Sequence, residues 1–331
     1  MREQIYPHAN TIVCIEDSKL LKQFQYDILY SAKGLDATLG ELNNINYFRT
    51  YRHADPDNYK ALLDGLMTAT FDLLREIAPS DLLSRLFSLY YDIHNLKLVA
   101  KERFWGTRFR ELGFDFGSYS LRTIRSAAVR EADNILENET LTSGFFEALQ
   151  AEDIYDVDFI LDKAYFRTLK ALAAELDSPE IVAFVTERID LFNLSALVQA
   201  QAAGVTDWYF AKAFSDGGSL PLAEWLAYLP HIEEGNRDRL ERFYIWGKYR
   251  EVWEPATSRG QLFSELDVLI DNYLIEKTKL CKLMAFGVEP ICAYFFNKFM
   301  EIKNIRILLA GKEKDYDTEE IKKRMRIPYE L

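Results

Sequence analysis

At 331 residues the chain has room for two or three domains, each large enough for its own core. Hydrophobic residues at 49% and aromatic residues at 14% are ample for burial and exclude disorder as the default state. With 40 Lys and Arg against 52 Asp and Glu, the net charge of −12 argues against nucleic acid or an anionic lipid surface as the main partner, although a basic patch can still exist locally.

From the N-terminus, Met1 to Asn10 lacks the basic and apolar regions of a signal peptide. Nowhere do eighteen apolar residues run together, so no transmembrane helix and no direct membrane insertion are expected. Cys14, Cys281 and Cys292 have no close pairing, which fits reduced thiols in a cytoplasmic compartment. Glycine and proline are sparse, 15 and 9 residues, and long stretches contain neither. The fold class predicted is all-α.

The first apolar helical segment carries Leu62-Leu63-Asp64. Pro79-Ser80-Asp81 then signals a helix start, with Ser80 as N-cap. The following run places Leu82, Leu86, Leu89, Ile93 and Leu96 at helical spacing and carries Asp92-Ile93-His94-Asn95-Leu96 before Gly106. The pattern returns with Ile160-Leu161-Asp162, the start signal Ser178-Pro179-Glu180, Asp190-Leu191-Phe192-Asn193-Leu194 and Gly204. It returns again with Leu269-Ile270-Asp271, Glu289-Pro290, Glu301-Ile302-Lys303-Asn304-Ile305 and Gly311. Proline is tolerated in the first helical turn and glycine is the usual residue past a helix end, so each copy predicts a helix closed by its glycine. Loops near Gly106 to Gly117 and at Asp216-Gly217-Gly218 separate the copies, giving helical modules at 1–110, 111–215 and 216–331.

In each copy the upstream acid and the Asn are equidistant from the predicted turn, so they meet across an antiparallel helical hairpin. The expectation is that Asp64 pairs with Asn95, Asp162 with Asn193 and Asp271 with Asn304, because buried polar side chains need partners. Asp92, Asp190 and Glu301 lie three residues before each Asn, on the same helix face, and are read as ordering their own hairpins rather than holding a metal.

No catalytic constellation is legible. Gly311-Lys312 lacks the upstream glycine of a phosphate-cradling loop, and no Gly-x-Ser-x-Gly elbow occurs. His8, His53, His94 and His231 are scattered without metal-ligand spacing, so no cofactor and no metal are predicted. Phe192 and Lys303 occupy the positions matching His94, which therefore reads as a variable, exposed site. From Glu131 to Asp162 there is no Lys or Arg, which reads as a solvated face, or else as a docking surface for a basic partner. Asp317-Thr318-Glu319-Glu320-Ile321 reads as a final capped helix.

The run from Pro290 to Arg326, with Tyr294-Phe295-Phe296-Asn297-Lys298-Phe299-Met300-Glu301-Ile302-Lys303-Asn304-Ile305-Arg306-Ile307-Leu308 and then Gly311-Lys312, resembles the C-terminal signature of the C subunit of V-type and A-type rotary ATPases, the d subunit in vacuolar forms. Ser18-Lys19-Leu20-Leu21, leading to Leu42-Asn43 and Tyr47, is similar to that family's opening. The resemblance implies a funnel-shaped, all-α, central-stalk protein with three modules in pseudo-threefold arrangement. It implies a peripheral position on the cytoplasmic face of the membrane, with the loops of the proteolipid rotor ring and the central shaft subunits as partners. Such a part passes torque between proton or sodium transport and ATP hydrolysis or synthesis, and holds no nucleotide or ion itself. Docking through polar ring loops would weaken in salt. A helical-repeat scaffold unrelated to a motor and an all-α enzyme are the competing readings.

Overall fold

A computed structural model describes residues 6–45, 47, 59–109, 112–130, 136–202, 204, 207–227, 244–252, 264–284 and 286–330. Among these residues every regular element is helical. The order is α1 (Pro7–Asp17), α2 (Gln23–Ser31), α3 (Gly34–Asn44), α4 (Tyr59–Ile77), α5 (Leu82–Trp105), α6 (Leu121–Arg130), α7 (Glu139–Gln150), α8 (Ile154–Glu175), α9 (Pro179–Ala202), α10 (Asp207–Ala213), α11 (Leu222–Leu226), α12 (Tyr244–Lys248), α13 (Ser264–Lys279), a 3-10 turn (Leu280–Leu283), α14 (Glu289–Glu313) and α15 (Thr318–Lys322). The three Asn signatures lie on α5, α9 and α14, the longest helices described. The three upstream acids lie on α4, α8 and α13.

The chain divides into two compact units, Met1–Pro79 with Glu254–Leu331, and Ser80–Trp253. In the first, α14 is the central rod, packed against α1, α3 and α4. Ile291, Phe295, Ile302, Ile305, Leu308 and Leu309 are buried around much of its circumference, as expected of a helix inside a core. Phe71 of α4 meets Phe299 of α14 with ring centroids 5.3 Å apart. In the second unit α8 is the hub, packed against α5, α7, α9 and α10, with Val157, Leu161 and Ala173 fully buried.

The helix boundaries follow local chemistry. Ser178 Oγ accepts the Ile181 N–H at 3.2 Å, and Pro179 opens α9. Gly106 ends α5 in the left-handed region at φ +66°, its N–H returning to Glu102 O at 2.9 Å. Asp317 caps α15 through the Glu319 N–H at 3.0 Å. Two expectations are corrected. Asp81, not Ser80, holds the N-cap position of α5, without a side-chain cap bond. Gly311 does not end α14; it lies inside that helix, where a Cβ would come within 2.7 Å of Ile321. A small residue there lets α15 lie directly on the last turns of α14, so the glycine serves close packing rather than helix termination.

Three acids of the acidic stretch are paired with cations. Asp156 receives Lys212 at 2.8 Å, Asp158 receives Lys101 at 2.6 Å and Asp162 receives Lys97 at 2.7 Å. The cations arrive from α5 and α10, which pack on α8, so three acids of the supposed solvated face stitch helices together. Glu131 and Asp133 lie outside the described residues, as do His53 and His231.

Candidate functional site

The most distinctive chemistry of the chain is a buried polar clasp that occurs three times. Asn95, Asn193 and Asn304 are at most 2% exposed, in helices whose buried faces are mostly apolar. A buried amide needs both a donor and an acceptor, and each of the three finds both on one peptide residue. Asn95 Nδ2 donates to Phe114 O at 2.7 Å, and the Phe114 N–H donates to Asn95 Oδ1 at 3.0 Å. Asn193 binds Ser215 in the same way, at 2.9 Å in each direction. Asn304 binds Arg326, with 3.0 Å to its carbonyl and 2.8 Å from its N–H. The side-chain amide thus mimics one strand residue in a hydrogen-bonded antiparallel pair. It ties a returning loop to the middle of a helix 19, 22 and 22 residues earlier.

The acid three residues before each Asn holds a second point of a loop. Asp92 Oδ1 accepts the Tyr119 N–H at 3.0 Å. Asp190 Oδ1 accepts the Ser219 N–H at 2.7 Å, and its Oδ2 accepts Ser219 Oγ and Tyr249 OH. Glycine permits the approach in both cases. A Cβ on Gly117 would sit 2.4 Å from Asp92 Oδ1, and one on Gly218 would sit 2.4 Å from Asp190 Oδ1. The held N–H lies two or three residues before the next helix, α6 or α11, so the acid fixes where that helix begins.

The third copy closes differently. Glu301 Oε2 accepts the N–H of Leu21, 280 residues earlier, and Leu21 lies two residues before α2. The N-terminal segment therefore fills, in the third copy, the place that the downstream loop fills in the first two. The longer glutamate stands where the others have aspartate, and Lys298 binds its other oxygen at 2.6 Å. Burial and the neighbouring Glu301 carboxylate push the phenols of Tyr26 and Tyr47 upward, so both are neutral around it. Burial also raises Asp92 to about 6, against the opposing effect of the Tyr119 and Ser118 hydrogen bonds.

The acid–amide clasp across each hairpin is not the arrangement found. Each Asn amide is taken up by backbone, and each upstream acid by a cation. Asp162 pairs with Lys97 at 2.7 Å, and Asp64 with Arg306 at 3.2 Å. Lys97 and Arg306 stand two residues after Asn95 and Asn304, so in these two cases the acid of one copy pairs with the copy before it in cyclic order. Asp271 binds Lys303 at 2.8 Å and Arg326 Nε at 2.7 Å, reaching Asn304 only through their shared partner Arg326. The reason is the donor count: a carboxylate only accepts, so it can satisfy the amide N–H2 but leaves the amide oxygen bare. A peptide unit satisfies both.

His94, expected to be exposed, is half-buried. Its Nε2 lies 2.8 Å from Leu112 O, and its ring meets Phe114 edge-on at 4.7 Å, so it supports the clasped loop rather than standing free. Phe192 uses the matching position to pack on Phe166, and Lys303 uses it to bind Asp271. The clasps bring no nucleophile, base and orienting group together. What the arrangement does is fix loops to helices.

A family model described as "ATP synthase (C/AC39) subunit" matches residues 9–324. The chain belongs to this family. Among curated relatives, the C subunit of the V-type sodium ATPase of Enterococcus hirae is 24% identical, with 98% of this chain and 99% of the relative aligned. The C subunit of the A-type ATP synthase of Methanocaldococcus jannaschii is 23% identical over 96% of this chain and 85% of its own length. That of Methanococcoides burtonii is 26% identical over 84% and 80%. The match spans all three signatures, and the all-α body agrees with the resemblance read between Pro290 and Arg326. As a member of this V/A-type family the chain takes its place within an ATPase complex. Among its described residues no helix is long and apolar enough to cross a membrane.

Proposed function

We propose that this chain is a non-catalytic coupling piece of the central stalk, joining the membrane rotor ring to the shaft on the cytoplasmic face of the membrane. In this reading the modules at 1–110, 111–215 and 216–331 are arranged about a common pseudo-threefold axis in a funnel. The ring loops meet one end and the shaft subunits the other. The observation that carries the reading is the tripled clasp, with its third copy completed by Leu21 on Glu301. A part that passes torque must not let its helices slide or its loops lag. Buried, fully satisfied hydrogen-bond pairs between rods and loops supply that stiffness. Closing the last copy with the N-terminal segment ties the first residues of the series to the last. Like faces repeated around an axis suit a part that sits on a many-fold ring and grips one shaft.

The test is affinity purification of the tagged chain from detergent-solubilised membranes. The expected result is co-purification of the proteolipid ring together with the ATPase head, and loss of the ring first as salt rises. Recovery of the chain alone, or with soluble partners lacking both ring and head, would refute the role.

A further inference from the structure

The three connections that lead into the clasp helices differ in length and chemistry. Residues 78–81 join α4 to α5 and residues 176–178 join α8 to α9, whereas residues 280–288 join α13 to α14. The short connections carry no exposed bulky aliphatic or aromatic side chain: 78–81 holds only Ala78 and Pro79 as apolar residues, and Leu176 of the other is buried. The long one does the opposite. Leu280, Leu283 and Phe286 are 69%, 74% and 63% exposed, although nothing in the local fold requires bulky apolar side chains there.

The base of this connection is fixed. Lys282 binds Asp17 at 2.8 Å and lies 3.8 Å from the Tyr329 ring centre, and Asn10 Nδ2 donates to Gly287 O at 3.1 Å. The three apolar side chains are therefore exposed on a connection that is held at Lys282 and Gly287. Two further lysines lie in the last turn of α13, immediately before the connection. Lys277 is exposed above the Tyr273 ring, and Lys279 meets Glu276 in a surface pair at 2.7 Å. Such a pair is weak in water and yields readily to a phosphate. Exposed Leu and Phe next to lysines is the pattern of groups that enter a membrane interface while their cations reach headgroups. A chain of net charge −12 is otherwise repelled by an anionic surface, so this local combination is conspicuous.

We propose that the α13–α14 connection is a lipid-interface anchor. Leu280, Leu283 and Phe286 immerse in the headgroup–acyl boundary of an anionic bilayer, and Lys277 and Lys279 take lipid phosphates. The inference stands on this loop alone and does not depend on the coupling role. The experiment is flotation of the full chain with phosphatidylcholine vesicles, with and without phosphatidylglycerol. It compares the wild type with the L280S/L283S/F286S and K277E/K279E variants, each checked for an unchanged helical melt. The wild type floats with anionic vesicles, and each variant's bound fraction falls about tenfold or more. Absence of wild-type binding, or equal binding by the apolar variant, overturns the proposal. Loss of purified rotor-ring binding in the apolar variant while its vesicle binding persists would also overturn it, in favour of a protein socket.

Discussion

Replacing Asn193 by alanine tests the clasp most sharply. Asn193 is fully buried, and its amide makes both hydrogen bonds to Ser215, which is itself buried. Alanine leaves the Ser215 N–H and C=O without partners in a place that water reaches poorly. Each orphaned buried group costs about 1–3 kcal/mol, so the pair costs about 2–6 kcal/mol, with the lower end applying if a water enters the gap. At a urea slope of about 2 kcal/mol per M, even the lower figure moves the midpoint by about 1 M. Amide exchange localises the effect: about 2 kcal/mol of lost local stability speeds exchange at the Ser215 N–H about 30-fold. The control is Asp162→Ala, which removes a partly exposed ion pair with Lys97 and costs about 1 kcal/mol or less. Had the hairpin clasp between Asp162 and Asn193 been the true arrangement, the two variants would cost the same. An Asn193→Ala variant within about 0.5 kcal/mol of wild type, with Ser215 protection intact, would refute the reasoning.

Asp92 carries a pH dependence whose sign is set by burial. Its carboxyl is raised from 3.8 to about 6 in the fold, so the folded state keeps a proton that the unfolded chain has already lost between those values. Its contribution is therefore most favourable below about pH 4 and is lost as pH rises through 6, by at most about 3 kcal/mol. Asp92→Asn keeps an oxygen for the Tyr119 N–H, so the variant should match wild type near pH ~4 and exceed it at pH ~8; a pH-independent difference in urea midpoints would contradict this. Gly218→Ala drives a Cβ to 2.4 Å from Asp190 Oδ1 and is expected to cost about 1–3 kcal/mol in denaturant unfolding, whereas an unchanged midpoint would mean the loop is not seated on the acid. Glu301→Ala frees the Leu21 N–H, and exchange should accelerate through residues 20–31 more than in α3 or α4. Uniform exchange across the unit would refute the N-terminal closure.

Much of the fold was legible because long helices advertise themselves through apolar spacing and through caps such as Ser178 and Gly106. That Asn95, Asn193 and Asn304 need buried partners was legible too, since an amide at the same place in three apolar helices demands one. The identity of that partner was not. Phe114, Ser215 and Arg326 share no side-chain chemistry, because only their backbones are used, and a backbone partner leaves no mark on residue type. The available signal lay in Gly117 and Gly218, which stand against Asp92 and Asp190 but read as ordinary loop glycines. Leu21 was hidden by distance along the chain, although the change from aspartate to Glu301 marked the copy that closes differently. Gly311 misled for a related reason: glycine at a predicted helix end and glycine under a crossing helix look alike until Ile321 is in place.

The coupling role is tested most directly in a reconstituted ATPase complex assembled with and without this chain, with ATP hydrolysis and ion uptake measured together. Without the chain, the head should hydrolyse ATP while no ion moves, and adding the chain back should restore transport linked to hydrolysis. Transport that proceeds without the chain, or a detached head that needs the chain to hydrolyse ATP, would contradict it.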